Sequence, residues 1–140
     1  MASPIRPYEN INHALILGFQ HASQPAFSKG QEVKFNGDDN LLQAAGANDP
    51  LAIGIIHSDN AAGREASVHM YGSSVAIVTV GTGDCTRGVD AITVADGFTD
   101  AAANGGGTSS QIIKGKFLHT GVAGDKVSLL IGVNQRSVKA

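Results

Sequence analysis

The sequence predicts an all-β domain, an antiparallel sandwich or barrel of about nine short strands. Three observations carry this. The stretch from Ala52 to Val80 holds three apolar runs, each cut off by small or turn-forming residues. Its middle run, Ala66 to Tyr71, alternates, with Ala66, Val68 and Met70 on one side and Ser67, His69 and Tyr71 on the other. Alternation of period two bounded by Gly, Asn, Asp and Ser is the mark of antiparallel strands, and no helical period is sustained anywhere. Eighteen glycines, no Trp and only 16% charged residues complete the pattern, because short strands need many tight turns and few solvated faces.

Taken in order, Met1 to Asn12 carries Pro4 and Pro7 among Ile5, Arg6, Tyr8 and Ile11. Proline fixes φ and disfavours helix at the residue before it, so residues 1–12 read as an extended arm, either a frayed terminus or an arm that lies along a partner's surface. Residues 13–133 read as a single β domain. Its strands are expected at Ala14 to Phe19, Gly30 to Phe35 and Leu41 to Ala44. In the second of these Val33 and Phe35 face one way, and Glu32 and Lys34 the other. Ala52 to Ile56, Ala66 to Tyr71 and Ser74 to Val80 follow as a β-meander reversed at Gly72-Ser73. Val89 to Val94 is the next strand. Asp96 to Ser110 is expected as a mobile surface loop, since Gly105-Gly106-Gly107 resists regular structure, with one helical turn over Asp100 to Asn104. Gln111 to His119 is a strand with Ile113 and Phe117 opposite Lys114 and Lys116. Lys126 to Val133 is the last strand, and residues 134–140 read as a polar tail.

The bulk numbers bound the function. A chain of 140 residues suits one domain. Its apolar residues are mostly Ala, Val, Ile and Leu, a lean core that favours an oligomer or a partner covering further surface. The net charge is −2 with basic residues scattered, so a nucleic-acid partner is not expected, because phosphate contacts need a basic stripe. Cys85 is the single cysteine, which leaves no internal disulfide framework. No apolar run is long enough to span a bilayer, and Met1-Ala2-Ser3-Pro4 does not open a secretory signal.

Signals for chemistry are weak. Ser58-Asp59-Asn60 matches one motif of the penicillin-binding enzymes, but no Ser-x-x-Lys or Lys-Thr-Gly accompanies it, so a turn is the better reading. Gly81-Thr82-Gly83 opens like a dinucleotide loop, yet Thr86 stands at the third glycine position and no βαβ unit surrounds it. His13, His21, His57, His69 and His119 show no metal-ligand spacing. His57 and His69 flank one hairpin and are placed to approach, with a solvated polar face the commoner outcome. Asp38-Asp39-Asn40 lacks the spaced carboxylates of a calcium loop. Cys85 needs a base and an oxyanion site to act as a nucleophile, and an ordinary thiol is the simpler reading. The motifs of dUTPase have no match, and a sugar-binding sandwich would need exposed aromatics that two Tyr and no Trp hardly supply. The chain is therefore expected not to be an enzyme, and to bind no cofactor and no metal.

Ala52-Ile53-Gly54-Ile55-Ile56, a small-residue turn, and then Ala66-Ser67-Val68-His69-Met70-Tyr71-Gly72 resemble the head decoration, or cement, proteins of tailed bacteriophages. Gly121 to Ile131 resembles their later Gly-Asp turn and closing strand. An extended arm, a small β domain and Ala/Gly-rich loops complete the likeness, which spans roughly Gly30 to Ile131. The resemblance implies a jelly-roll or β-tulip fold. It also implies a virion protein on the outer capsid surface, made in the host cytoplasm. Its partners would be the major capsid protein and itself, as a homodimer or homotrimer, with no nucleic acid and no membrane. We favour the jelly roll and expect neighbouring capsid subunits to be clamped through contacts at Ile5, Arg6, Tyr8 and Ile11 of the arm. Restricted proline backbone lowers the ordering cost of such contacts. A virion-surface receptor- or glycan-binding β-module is the alternative.

Overall fold

A computed structural model of the chain describes Ile5, Pro7, residues 14–101 and residues 111–138, with side chains described as far as Ile131. Among these residues ten strands form: β1 (Ile16–Phe19), β2 (Glu32–Phe35), β3 (Leu42–Ala44), β4 (Gly54–Ser58), β5 (Ala66–Met70), β6 (Val75–Thr79), β7 (Asp90–Val94), β8 (Gly97–Asp100), β9 (Gln111–Phe117) and β10 (Lys126–Val138). No helix occurs among the described residues. The first five strands make one sheet in the order β1-β5-β4-β2-β3, and the last five make a second in the order β6-β10-β9-β7-β8. All pairings within these sheets are antiparallel. The all-β sandwich expected from turn spacing and alternation is what the chain forms.

The chain crosses between the sheets at Gly72–Ser74, and this corrects two expectations. β5 and β6 do not pair as neighbours of a meander. β5 lies between β1 and β4, whereas β6 pairs with β10, Val78 opposite Val127. Turn chemistry reports that the chain bends there, but not which sheet the next strand joins. One crossing also differs from the two Greek keys that make up a jelly roll. Two further boundaries move. Part of the expected loop at Asp96 to Ser110 is β8, a hairpin with β7 that sets Phe98 opposite Thr93, while residues 102–110, with the glycine run, lie outside the described residues. β10 continues past Val133 to Val138, with a register shift between Ile131 and Arg136 that places Arg136 opposite Ile113.

Both faces of the first sheet are covered at β4, which explains the consecutive Ile55 and Ile56. Ile56 belongs to one core with Phe19, Val33, Leu42, Ala66 and Val68. This core is closed by Phe27 from the β1–β2 connection, which bridges to Asn60. Ile55, one residue away, points to the other core, formed by Val78, Val80, Phe98, Phe117, Val127 and Leu129 of the second sheet and its neighbours. Between these strands the backbones pack closely. A Cβ on Gly54 would lie 2.4 Å from the His69 carbonyl oxygen, so glycine lets β4 and β5 approach as a narrow non-hydrogen-bonded pair.

The second sheet curls until its edge strands touch. Val80 and Phe98 form a parallel bridge, and the Gly81 N–H donates to the Phe98 carbonyl at 2.9 Å. Gly97 makes the contact possible: its φ is +152°, and a Cβ there would stand 2.5 Å from the Thr79 carbonyl oxygen. Curling leaves this sheet without a free edge where β6 meets β8.

Candidate binding surfaces

Of the four arm residues expected to touch a partner, Ile5 is described. It is half-buried and packs on the core of the second sheet, with its Cδ1 3.3 Å from the position of a Cβ on Gly121. Ile5 thus anchors the arm to its own domain. Arg6, Tyr8 and Ile11 lie outside the described residues.

Polar positions of β2 and β9 form a polar seam between the sheets. Lys114 of β9 is fully buried and its Nζ lies 3.0 Å from Glu32 Oε2 of β2. The Tyr71 hydroxyl donates to the same oxygen at 2.5 Å. Lys114 also donates to the Asp49 carbonyl at 2.5 Å and sits 5.7 Å from the Tyr71 ring centroid. Lys34 stands 2.7 Å from Asp49 Oδ2. Glu32 Oε1 is buried and accepts no hydrogen bond among the described residues. Burial pushes the Glu32 carboxyl up, against the opposing pull of Lys114 and Tyr71. Burial also pushes the Lys114 ammonium down, against the attraction of Glu32, and lifts the Tyr71 phenol further, with Glu32 adding to the effect. The seam therefore orients one sheet on the other at an electrostatic cost. Alternation along β2 and β9 was legible, but the burial of both faces was not.

A cleft of about 300 Å³ opens beside the seam. Ser28, Glu32, Ala45, Thr79, Asp96 and Lys126 are among its walls, and Lys126 Nζ donates to Thr79 Oγ1. The third surface is apolar. Leu15 is 52% exposed, Leu17 40% and Phe35 49%. Leu15 and Leu17 are neighbours on one side of β1, and Phe35 of β2 meets the Phe19 ring edge-on, centroids 5.5 Å apart.

The residues weighed for chemistry take structural places. Asp59 Oδ1 accepts the Lys29 N–H at 2.6 Å, and the Asn60 amide donates to the Pro25 carbonyl at 2.9 Å, so Ser58-Asp59-Asn60 ties down a connection. Thr82 donates to the Asp96 carboxylate through its N–H at 2.9 Å and its hydroxyl at 2.7 Å. This fastens the Gly81-Thr82-Gly83 loop to the β7–β8 turn. His57 and His69 do approach, with ring centroids 6.5 Å apart, but His69 is buried, and its Nε2 lies 2.6 Å from the Ser73 carbonyl. Cys85 is buried, and burial, with Asp100, Asp125 and Asp84 adding to it, pushes its thiol up to about 11. Asp38 faces His21 at 3.7 Å. Among the described residues no group of three His, Cys, Asp or Glu is placed to hold a metal ion.

Gln24 is a residue that sequence reasoning missed. It is buried and donates through Nε2 to the Phe19 and Asn40 carbonyls, each at 2.9 Å, while its Oε1 accepts the Leu42 N–H at 2.8 Å. A lone Gln between Ser and Pro carries no signal of that role.

No protein-family model matches the chain, and no curated protein does. Among solved structures, the crystal structure of the head fiber gp8.5 N base in bacteriophage phi29 is similar. The TM-score is 0.61 at 16% identity, over 87% of this chain and 98% of that one. The chain shares its fold with a phage head-fiber base. The match runs over almost the whole of that base, so the likeness extends to both sheets rather than to one hairpin.

Proposed function

We propose that this chain is a structural protein of a phage head, non-enzymatic, held on the outer surface of the capsid shell as a decoration or cement protein that clamps neighbouring major capsid subunits. The observation that carries the reading is the fold shared, nearly end to end, with a protein named as a head fiber base. The resemblance of Ala52–Ile56 and Ala66–Gly72 to decoration proteins points to the same place in the virion. In this reading the arm supplies the contacts: Ile5 fastens its base to the domain, and Arg6, Tyr8 and Ile11 reach the shell. A guanidinium such as that of Arg6 suits a shell carboxylate, and the chain assembles as a homodimer or homotrimer.

The test is cosedimentation with heads purified from a phage lacking the chain. The full chain pellets with heads and raises their thermal stability. A chain without residues 1–12 stays in the supernatant while its circular dichroism remains that of β-sheet. A full chain that never pellets with heads overturns the proposal, and a truncated chain that pellets as well as the full one removes the arm from it.

A further inference from the structure

We propose that the open edge of β1 is a strand-addition site for an extended segment of another protein, apolar on the side of Leu15 and Leu17 and basic at the position opposite Gly18. The first sheet has two edges, β1 and β3. The β3 edge is closed at Leu42, whose N–H is taken by Gln24. Among the described residues nothing pairs with the outer edge of β1. The Met70 N–H donates to the Leu15 carbonyl, and Leu17 is opposite Val68 and Phe19 opposite Ala66. Hydrogen-bonded pairs alternate along an antiparallel ladder, so Leu15, Leu17 and Phe19 are bonded to β5. The N–H and C=O groups of Ile16 and Gly18 therefore point away from the sheet. An exposed edge with apolar side chains is a template for a further strand.

Two features describe what fits it. Side chains of an added strand alternate between faces. The residue opposite Leu17 meets the exposed Leu15 and Leu17, which favours Val, Ile or Leu there. The residues opposite Ile16 and Gly18 fall on the other face, where the Glu65 carboxyl carbon lies 2.5 Å from the position of a Cβ on Gly18. Glu65 is exposed and makes no hydrogen bond or ion pair within the described residues. A carboxylate held over a bare backbone at an open edge favours Lys or Arg on the incoming strand. This site rests on the sheet edge and not on the head reading, so a chain indifferent to phage heads still passes or fails the test below.

The probe is a capped peptide, Thr-Val-Lys-Val-Lys-Val-Thr, added to the isotope-labelled full chain, with amide hydrogen exchange and chemical shifts read by NMR. Exchange slows at Ile16 and Gly18 and is unchanged at Leu17, whose N–H is already bonded to β5. The same peptide with Glu in place of Lys binds about two- to fivefold more weakly, and Glu65→Lys inverts that preference. Unchanged exchange at Ile16 and Gly18, or a charge preference indifferent to residue 65, overturns the proposal. Protection of both amides that grows with protein concentration alone, with doubled mass, assigns the edge to a second copy and likewise overturns it.

Discussion

Replacing Lys114 with Met removes one partner of a buried ion pair and keeps the side-chain volume. Lys114 is wholly buried and the Glu32 side chain is 5% exposed, so solvent cannot take over the carboxylate. Glu32 then folds in its protonated form. Holding it protonated at pH 7, against its ordinary value of 4.5, costs at most about 3.4 kcal/mol. The Asp49 carbonyl also loses its Lys114 donor, a pH-independent loss of about 1 kcal/mol. The sum falls in the range of roughly 3–5 kcal/mol known for breaking buried pairs. The sign follows from linkage. In the variant, the folded carboxyl titrates above its unfolded value. Its favourable contribution is complete below pH 4.5 and is lost as pH rises through the folded value. Urea unfolding of Lys114→Met at pH 7 and pH 4.5 therefore shows a large deficit against the parent at pH 7 and a deficit of about 1 kcal/mol at pH 4.5. Adding Glu32→Gln removes the charge left behind, keeps an acceptor for Tyr71, and restores most of the pH 7 loss. A Lys114→Met deficit equal at both pH values, or no deficit at all, refutes the account of the seam.

Two other substitutions probe the closing contacts. Gln24→Leu leaves the buried Leu42 N–H without its acceptor and opens the β3 edge, a loss of about 1–3 kcal/mol in urea unfolding; a neutral Gln24→Leu would mean that the β1–β2 connection does not hold the first core. Cys85, buried and with its thiol near 11, stays unlabelled by maleimide at pH 8 in the folded chain and labels at once in urea, whereas fast labelling without denaturant contradicts its placement beneath the β9–β10 turn.

What the sequence made legible is local. Seven of the ten described strands lie within stretches that alternation and turn residues marked, and β4 and β10 begin within theirs and run past them, because both signals act over a few residues. β8 was passed over since Gly97-Phe98-Thr99-Asp100 holds one large apolar residue beside a glycine-rich run, and its place depends on Phe98 meeting Val80 across the curled sheet. The same limit hid the seam. Glu32, Lys34 and Lys114 occupy the polar positions of alternating strands, which on a sheet with one wet face would be solvated. Glu32 and Lys114 are buried and Lys34 half-buried because the two sheets face each other there, a fact set by the crossing at Gly72–Ser74 and by pairings such as Val78 with Val127, far apart in the chain. The one sign in the sequence was Ile55-Ile56: two adjacent bulky β-branched residues in a strand require cover on both faces. Read strictly, that dipeptide already implied that the polar neighbours of Ile55 across the ladder, Glu32 and His69, share its buried face and must be partnered there. Cover on both sides of β4 leaves the rim of the first sheet as its place for an incoming strand, and with the Leu42 N–H on the β3 rim taken by Gln24, the proposed rim is β1.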